Sequence, residues 1–191
     1  MGGTFDPIHY AHLLCADEAR TQFGLDEVLF IPAGDPWQKG QVTSAEDRYM
    51  MVVLATSSNP HFSVSRIEMD RPGPTYTLDT LRDIGASVGR DTQLFFIAGA
   101  DTVAEMLTWK EPESLFERAT FIAADRPGST GKGPADSLSA SKVKRMDMPQ
   151  LAISSTDIRH RVSKGRSIRY MVPPTVAAYI SDRGLYAPEG T

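Results

Sequence analysis

Disulfide chemistry is the first thing this chain lacks. It has one cysteine, Cys15, in 191 residues, so no intramolecular disulfide can form and a reducing, cytoplasmic setting is expected. No apolar run is long enough to span a bilayer, and the N-terminus lacks the basic-then-apolar pattern of a secretory leader; no membrane partner is expected. An excess of positive charge is also missing. Twenty Lys and Arg stand against 24 Asp and Glu, giving a formal charge of −4 with no basic block, which argues against a long nucleic-acid backbone as partner. Small anions remain compatible, because local sites can be basic on an acidic protein. There is no internal repeat. The oligomeric state is left open, a homo-oligomer included.

What is present alternates. Apolar runs over Glu27 to Pro32, Leu94 to Ala98 and Thr120 to Ala124 read as buried strands, with a weaker strand over Phe62 to Met69. Helical patterns lie between them, over Tyr10 to Phe23 closed by Gly24, Ser44 to Thr56, Thr77 to Val88 closed by Gly89, and Thr102 to Trp109. A glycine just past a helical pattern is a common stop, and Ser44 followed by Asp47 resembles a capping box. Strands alternating with helices predict an α/β fold: a doubly wound, mainly parallel, Rossmann-like sheet with helices on both faces. We expect a single domain over residues 1–191. Gly128 to Lys142, rich in Gly, Ser, Ala and Lys, reads as a flexible surface loop. A short strand over Val143 to Met148 follows, then a helix from Ser154 or Ser155 and a last helix over Pro173 to Arg183. These form a short helical C-terminal part expected to pack at the sheet edge. Gly2-Gly3 is already turn-like, so the first strand is either only a few residues long or continues into natural sequence upstream of Met1; the second is the expectation.

Two segments carry chemistry. The first is G-G-T-F-D-P-I-H-Y-A-H, from Gly2 to His12. Glycine lets backbone approach a phosphate without Cβ interference, and Pro7 stiffens the turn. His9 and His12 stand three residues apart at a helix entry, on one face, where unpaired N–H groups and the helix dipole favour an anion. For H-x-x-H alone, a solvated loop with incidental histidines is the blander account. A zinc site lacks a third ligand and the H-E-x-x-H spacing. The second segment is I-S-S-T-D-I-R, from Ile153 to Arg159. Ser154, Ser155 and Thr156 are N-cap residue types, and Arg159 follows about one turn later. A phosphate-binding helix start and an ordinary cap with a surface arginine are both open for it.

Together the two segments resemble the signatures of the nucleotidyltransferase superfamily, G-x-F-D-P-x-H-x-G-H and I-S-S-T-x-I-R. The resemblance extends over nearly the whole chain to bacterial nicotinate-nucleotide adenylyltransferases, through P-T-Y-T (Pro74 to Thr77), G-A-D (Gly99 to Asp101) with Trp109 downstream, R-P-G (Arg126 to Gly128), and the tail from Tyr170 through G-L-Y. Phosphopantetheine adenylyltransferases share the two signatures but are usually shorter, without the G-A-D…W arrangement and the tail. A non-catalytic nucleotide sensor on the same scaffold is the rival of a different class. Two departures stand out. Ala11 replaces the usual glycine between the histidines, and the acceptor loop reads I-P-A-G-D-P-W-Q-K, with Trp37 new and Lys39 kept.

The resemblance implies transfer of AMP from ATP to nicotinate mononucleotide, releasing pyrophosphate. It implies His9, His12, Lys39 and Arg159 as catalytic donors. It also implies an ATP site of Gly3, Thr4, Phe5, His12, Gly99, Asp101, Arg126, Ser154, Ser155, Thr156 and Arg159. The acceptor mononucleotide falls to Lys39, Arg48, Tyr76, Thr77 and Trp109. Mg²⁺ is expected with the triphosphate, held mostly by phosphates and water rather than by protein side chains. Blander accounts accompany several of these: a helix N-cap for Asp101, a core residue for Trp109, capping for Tyr76-Thr77, and a solvated helix-face arginine for Arg48. Cys15 reads as a small helix-packing residue.

Overall fold

The computed structural model describes residues 1–36, 42–89, 91–106, 112–125, 142–149 and 151–188. Two parallel three-stranded sheets organise it. The first pairs β1 (Gly2–Gly3), β2 (Val28–Pro32) and β3 (Phe62–Val64) in that order, and the second pairs β4 (Phe95–Gly99), β5 (Thr120–Asp125) and β6 (Val143–Asp147). β1 runs beside β4, so that a Cβ added at Gly2 would rest 3.9 Å from the Phe96 ring. The strands therefore succeed one another as 3-2-1 and 4-5-6, the doubly wound order whose ligands bind where the order reverses, at the carboxyl ends. β1 is short, yet paired: Gly2 lies opposite Ile31 and Gly3 opposite Pro32, and the Met1 amine extends the ladder by donating to Leu29 O at 2.8 Å.

The seven helices of the described residues are α1 (Tyr10–Phe23), α2 (Ala45–Thr56), α3 (Thr77–Ser87), α4 (Ala100–Met106), α5 (Pro112–Arg118), α6 (Ser155–Ser163) and α7 (Pro174–Asp182). α1 ends where the sequence places it, because Gly24 takes the left-handed conformation (φ 64°) and returns its N–H to Arg20 O. α2 opens on Ser44, whose Oγ accepts from Asp47 N and donates to the Asp47 carboxylate at 2.6 Å.

Alternation along the strands puts helices on both faces. Ile97 and Ile122 face one core, built with Phe30, Met51, Ile158 and Val176. Phe96 and Phe121 face the other, with Leu81, Met106 and Leu115. Each such buried aliphatic or aromatic side chain contributes about 1.5–3 kcal/mol.

Some expectations are corrected. β3 stops at Val64, where Arg66 to Asp70 turn instead (Met69 N to Arg66 O, 2.8 Å). α3 ends at Ser87 rather than Val88 and is capped by Val88 rather than Gly89, with Val88 extended and its N–H on Ile84 O. α5 went unread; a proline at its first position starts it. The C-terminal helix packs on α2 rather than at a sheet edge: Thr175 Oγ1 donates to Leu54 O at 3.2 Å and Tyr179 Oη to Asp47 Oδ1 at 2.8 Å. The loop expected from Gly128 to Lys142 lies, apart from Lys142, outside the described residues.

Candidate active site

The turn leaving β1 is held from several sides. Phe5 adopts φ 50°, a left-handed conformation costly for a bulky residue, and its ring folds back over Gly3, where an added Cβ would meet it at 3.0 Å. A side chain at Gly3 would therefore crowd the Phe5 ring. Phe5 is 3% exposed and packs against Phe30, so its side chain supports the turn from within the core. Any contact with ATP would have to come from its backbone.

The carbonyls of this turn are taken by three distant side chains. Arg48 Nη1 donates to Thr4 O at 2.9 Å, Arg159 Nη1 to Asp6 O at 2.7 Å, and Ser155 Oγ to Pro7 O at 2.8 Å. The last two join the start of α6 to the entry of α1. The two signature segments therefore form one site, and two helix N-termini converge on one glycine-bearing turn. Within α6 the hydroxyls are engaged: Ser154 Oγ accepts from Asp157 N at 3.1 Å, and Thr156 Oγ1 accepts from Arg159 Nη2 at 3.4 Å. Capping and phosphate binding are compatible here, because the caps use side chains and an anion would use backbone N–H groups.

At the entry of α1 the two imidazoles stack. His12 Nδ1 accepts from His9 N at 3.2 Å, which leaves the proton of a neutral His12 ring on Nε2. Phe5 meets the His12 ring edge-on, with centroids 5.1 Å apart. His9 is 5% exposed, its Nδ1 has no hydrogen-bond partner among the described residues, and burial lowers its pKa from 6.5 to about 4. His9 is therefore neutral at pH 7.

Gly99 and Asp101 lie at the carboxyl end of β4, beside β1, and both are exposed. Among the described residues a Cβ at Gly99 would meet nothing within 4 Å. Asp101 is the second residue of α4 and lies inside it, which corrects the N-cap reading. Tyr76, 54% exposed, is the N-cap of α3 and makes no side-chain capping hydrogen bond. Thr77 opens the helix. Lys39, Trp37, Trp109 and Arg126 lie outside the described residues.

Arg48 is not on a solvated face. It is 1% exposed, and its guanidinium spans Thr43 O (3.0 Å), Thr4 O (2.9 Å) and Gly34 O (3.0 Å). Its place is behind the site, fastening the acceptor loop to the β1 turn. Gly34 is needed in that loop because a Cβ would lie 2.4 Å from Glu68 O. The Glu68 carboxylate in turn accepts from Thr80 Oγ1 at 2.8 Å and Thr75 Oγ1 at 3.3 Å, fixing the start of α3.

Sequence reasoning missed the contacts of Asp6. Its carboxylate accepts from Thr43 N at 3.2 Å and from Tyr186 Oη at 2.6 Å, and it is 4% exposed. A carboxylate set between Phe5 and Pro7 in an otherwise apolar and glycine-rich turn is the one available hint of a buried polar partner.

The family model for cytidylyltransferase-like proteins matches residues 1–161. A probable nicotinate-nucleotide adenylyltransferase of Salinispora arenicola is 54% identical over 97% of this chain and 99% of its own length. One of Streptomyces coelicolor is 54% identical over 99% and 100%. Among solved structures, the nicotinic acid mononucleotide adenylyltransferase of Plasmodium falciparum complexed with NaAD superposes with a TM-score of 0.75. It is 22% identical, over 97% of this chain and 94% of that one. A putative nicotinate-nucleotide adenylyltransferase of Vibrio parahaemolyticus gives a TM-score of 0.70 at 19% identity, over 97% and 91%. At those identities the structural likeness speaks for the fold.

Proposed function

The chain belongs to the cytidylyltransferase-like family and, within it, to the nicotinate-nucleotide adenylyltransferases; on that premise we infer that it transfers AMP from ATP to nicotinate mononucleotide, forming nicotinate adenine dinucleotide and pyrophosphate for NAD synthesis. The observation that carries this reading is the joining of the two helix starts at one turn, through Arg159 on Asp6 O and Ser155 on Pro7 O. Such a place suits a triphosphate, with backbone N–H groups and dipole ends facing it from two sides.

The chemistry is a direct displacement. A phosphate monoester has a second pKa of about 6, so the acceptor is largely dianionic at pH 7 and needs no general base. Its oxygen forms the new bond to the α-phosphorus while the bond to the leaving pyrophosphate breaks, and the electron pair departs with pyrophosphate. The protein supplies alignment and positive charge. In this reading His12 donates from Nε2 to the α-phosphate, because its Nδ1 is occupied by the His9 N–H. His9 is the neutral wall of the stack. Arg159 and Lys39 answer the phosphate charge, and Gly99 and Asp101 receive the adenosine ribose. The acceptor ring is assigned to Tyr76 and Thr77 at the start of α3, and Trp109 is assigned to stack on it. Mg²⁺ bound to the triphosphate would add positive charge there, held mostly by phosphate oxygens and water. Among the described residues no group of three or more His, Cys, Asp and Glu stands close enough to hold a metal ion, so no side-chain ligands are assigned.

The test is pyrophosphate release from ATP with nicotinate mononucleotide, its amide analogue or phosphopantetheine as acceptor. Turnover with the first is the expected result. Turnover with phosphopantetheine alone would reassign the acceptor, and ATP binding without turnover on any of the three would make the protein a sensor.

A further inference from the structure

We propose that Tyr186, in the C-terminal tail, is a positioning residue for adenylyl transfer, acting through the carboxylate of Asp6. The inference rests on the adenylyl-transfer reading and deepens it.

Three segments meet at Asp6. Its Oδ1 accepts from Tyr186 Oη at 2.6 Å, its Oδ2 from Thr43 N at 3.2 Å, and its carbonyl from Arg159 Nη1 at 2.7 Å. Thr43 stands just before Ser44, the cap of α2, and Arg159 belongs to the second anion-binding helix start. Asp6 itself stands three residues before His9. One carboxylate therefore sets the phosphate turn and the start of α2 relative to each other, and the tail supplies its shorter hydrogen bond.

The tail is built to reach this point. After α7, Gly184 (φ 61°) and Tyr186 (φ 63°) both take left-handed conformations. For glycine that is ordinary, but for tyrosine it is an outlier that persists only when the surroundings over-determine it. Leu185 N bonds back to Ile180 O at 3.0 Å, which closes the reversal. The base of α7 is tied to α2 at Asp47, through Tyr179 Oη at 2.8 Å and Arg183 Nε at 3.3 Å. The reversal thus carries the Tyr186 phenol back across 180 positions of sequence to Asp6. Burial first, and the Asp6 hydrogen bond second, raise the Tyr186 pKa above its ordinary value, so the phenol stays a donor at working pH.

Tyr186 touches no reacting atom. Among the described residues its loss leaves the Asp6 carboxylate only the Thr43 N–H as hydrogen-bond donor, and lets the turn shift against the start of α2. Misplacement by about 1 Å can cost about a hundredfold in rate. The experiment compares the parent with Tyr186→Phe, which keeps the ring, and with Asp6→Asn, which keeps the size of the side chain. Pyrophosphate release is read at saturating ATP and nicotinate mononucleotide, with active-site titration and thermal melting alongside. The expected result is a fall in kcat per active site of about fivefold or more in each single variant, with no further fall in the double variant. A merely structural tyrosine would lower the Tm and the active fraction and leave kcat per site and both KM values near the parent's. A smaller loss of kcat per site, or losses that multiply in the double variant, overturns the proposal. If Tyr186→Phe does not fold, Asp6→Asn carries the same kcat test. If the parent itself releases no pyrophosphate, the functional reading has failed instead. The positioning role is then read from the Kd for a non-hydrolysable ATP analogue, which must weaken by about threefold or more in the variant; a smaller change overturns it.

Discussion

The imidazole rings of His9 and His12 lie face to face, with centroids 3.7 Å apart and planes 21° from parallel. Phe5 meets the His12 ring edge-on, and the His9 N–H occupies His12 Nδ1. A neutral His12 ring therefore carries its proton on Nε2. Replacing His12 by alanine is expected to lower kcat about a hundredfold or more while weakening ATP binding far less. His12 is only half-buried, so the thermal midpoint should move by a few degrees at most. Steady-state kinetics with a melting curve checks this; a variant with parental kcat would remove His12 from the chemistry.

His9 makes stability depend on acid. Its pKa falls from 6.5 to about 4 on folding because burial disfavours the imidazolium. Between those values the unfolded chain binds a proton that the folded chain does not, so stability declines as pH falls from 6.5 towards 4 and is unaffected by this group above 6.5. The slope approaches about 1.4 kcal/mol per pH unit inside the window. His9→Asn cannot titrate there. Denaturant melts of parent and variant across pH 4 to 7 should therefore give a difference curve that is flat above pH 6.5 and narrows as pH falls through the window. A difference that does not change with pH would contradict the burial argument.

Arg159 ties the two signature segments together, and its removal should separate that contact from the phosphate role proposed for it. The Nη1 bond to Asp6 O spans 153 positions at 2.7 Å. A charged hydrogen bond of this kind contributes about 1.5–3 kcal/mol, less here because one arm is solvated. Arg159→Ala should lower stability by about 1 kcal/mol and raise KM for ATP. Arg159→Lys should restore part of the charge but not the two-armed contact with Asp6 O and Thr156 Oγ1. Unchanged KM for ATP together with unchanged kcat in the alanine variant would refute the phosphate role.

Local signals made much of this fold legible. The span of α1 follows from the apolar spacing and Gly24, and the Ser44 cap from its Asp47 partner. The pairing of the two signatures at one turn could be expected because each is a helix start with anion-binding character. Arg48 could not be read this way. Its burial depends on carbonyls at positions 4, 34 and 43, which become neighbours only after the sheet forms, and a lone arginine on a helix pattern looks solvated until then. The same holds for Asp6 and Tyr186, which no local spacing relates. Asp101 lies two residues further into its helix than the pattern from Thr102 implies, since α4 starts at Ala100 directly from the strand end without a polar cap residue.

The acceptor should be discriminated by charge. The first N–H groups of α3 have no side-chain cap from Tyr76, and the helix dipole favours an anion there by roughly 0.3–1 kcal/mol. Asp79 in the first turn would oppose an incoming carboxylate, but Arg82 holds it at 2.8 Å. The start of α3 is also fixed in place, since Glu68 accepts from both Thr75 and Thr80 and lies against Gly34 of the acceptor loop. A carboxylate arriving there gains charge-assisted hydrogen bonds, about twice as strong as neutral ones. An amide must set its NH₂ against N–H donors or offer only its carbonyl, leaving polar groups unpaired at about 1–3 kcal/mol each. Together these favour the acid mononucleotide over the amide by about ten- to a hundredfold in kcat/KM. Trp109, if it stacks on the ring, should serve both acceptors alike, so Trp109→Ala should lower both efficiencies by a similar factor. The measurement is kcat/KM for both mononucleotides in the parent, in Trp109→Ala and in Glu68→Gln. Glu68→Gln should narrow the acid preference without changing KM for ATP, because it loosens only the start of α3. Equal efficiency on acid and amide in the parent would contradict the role given to the α3 N-terminus. A Trp109→Ala loss confined to one acceptor would contradict stacking.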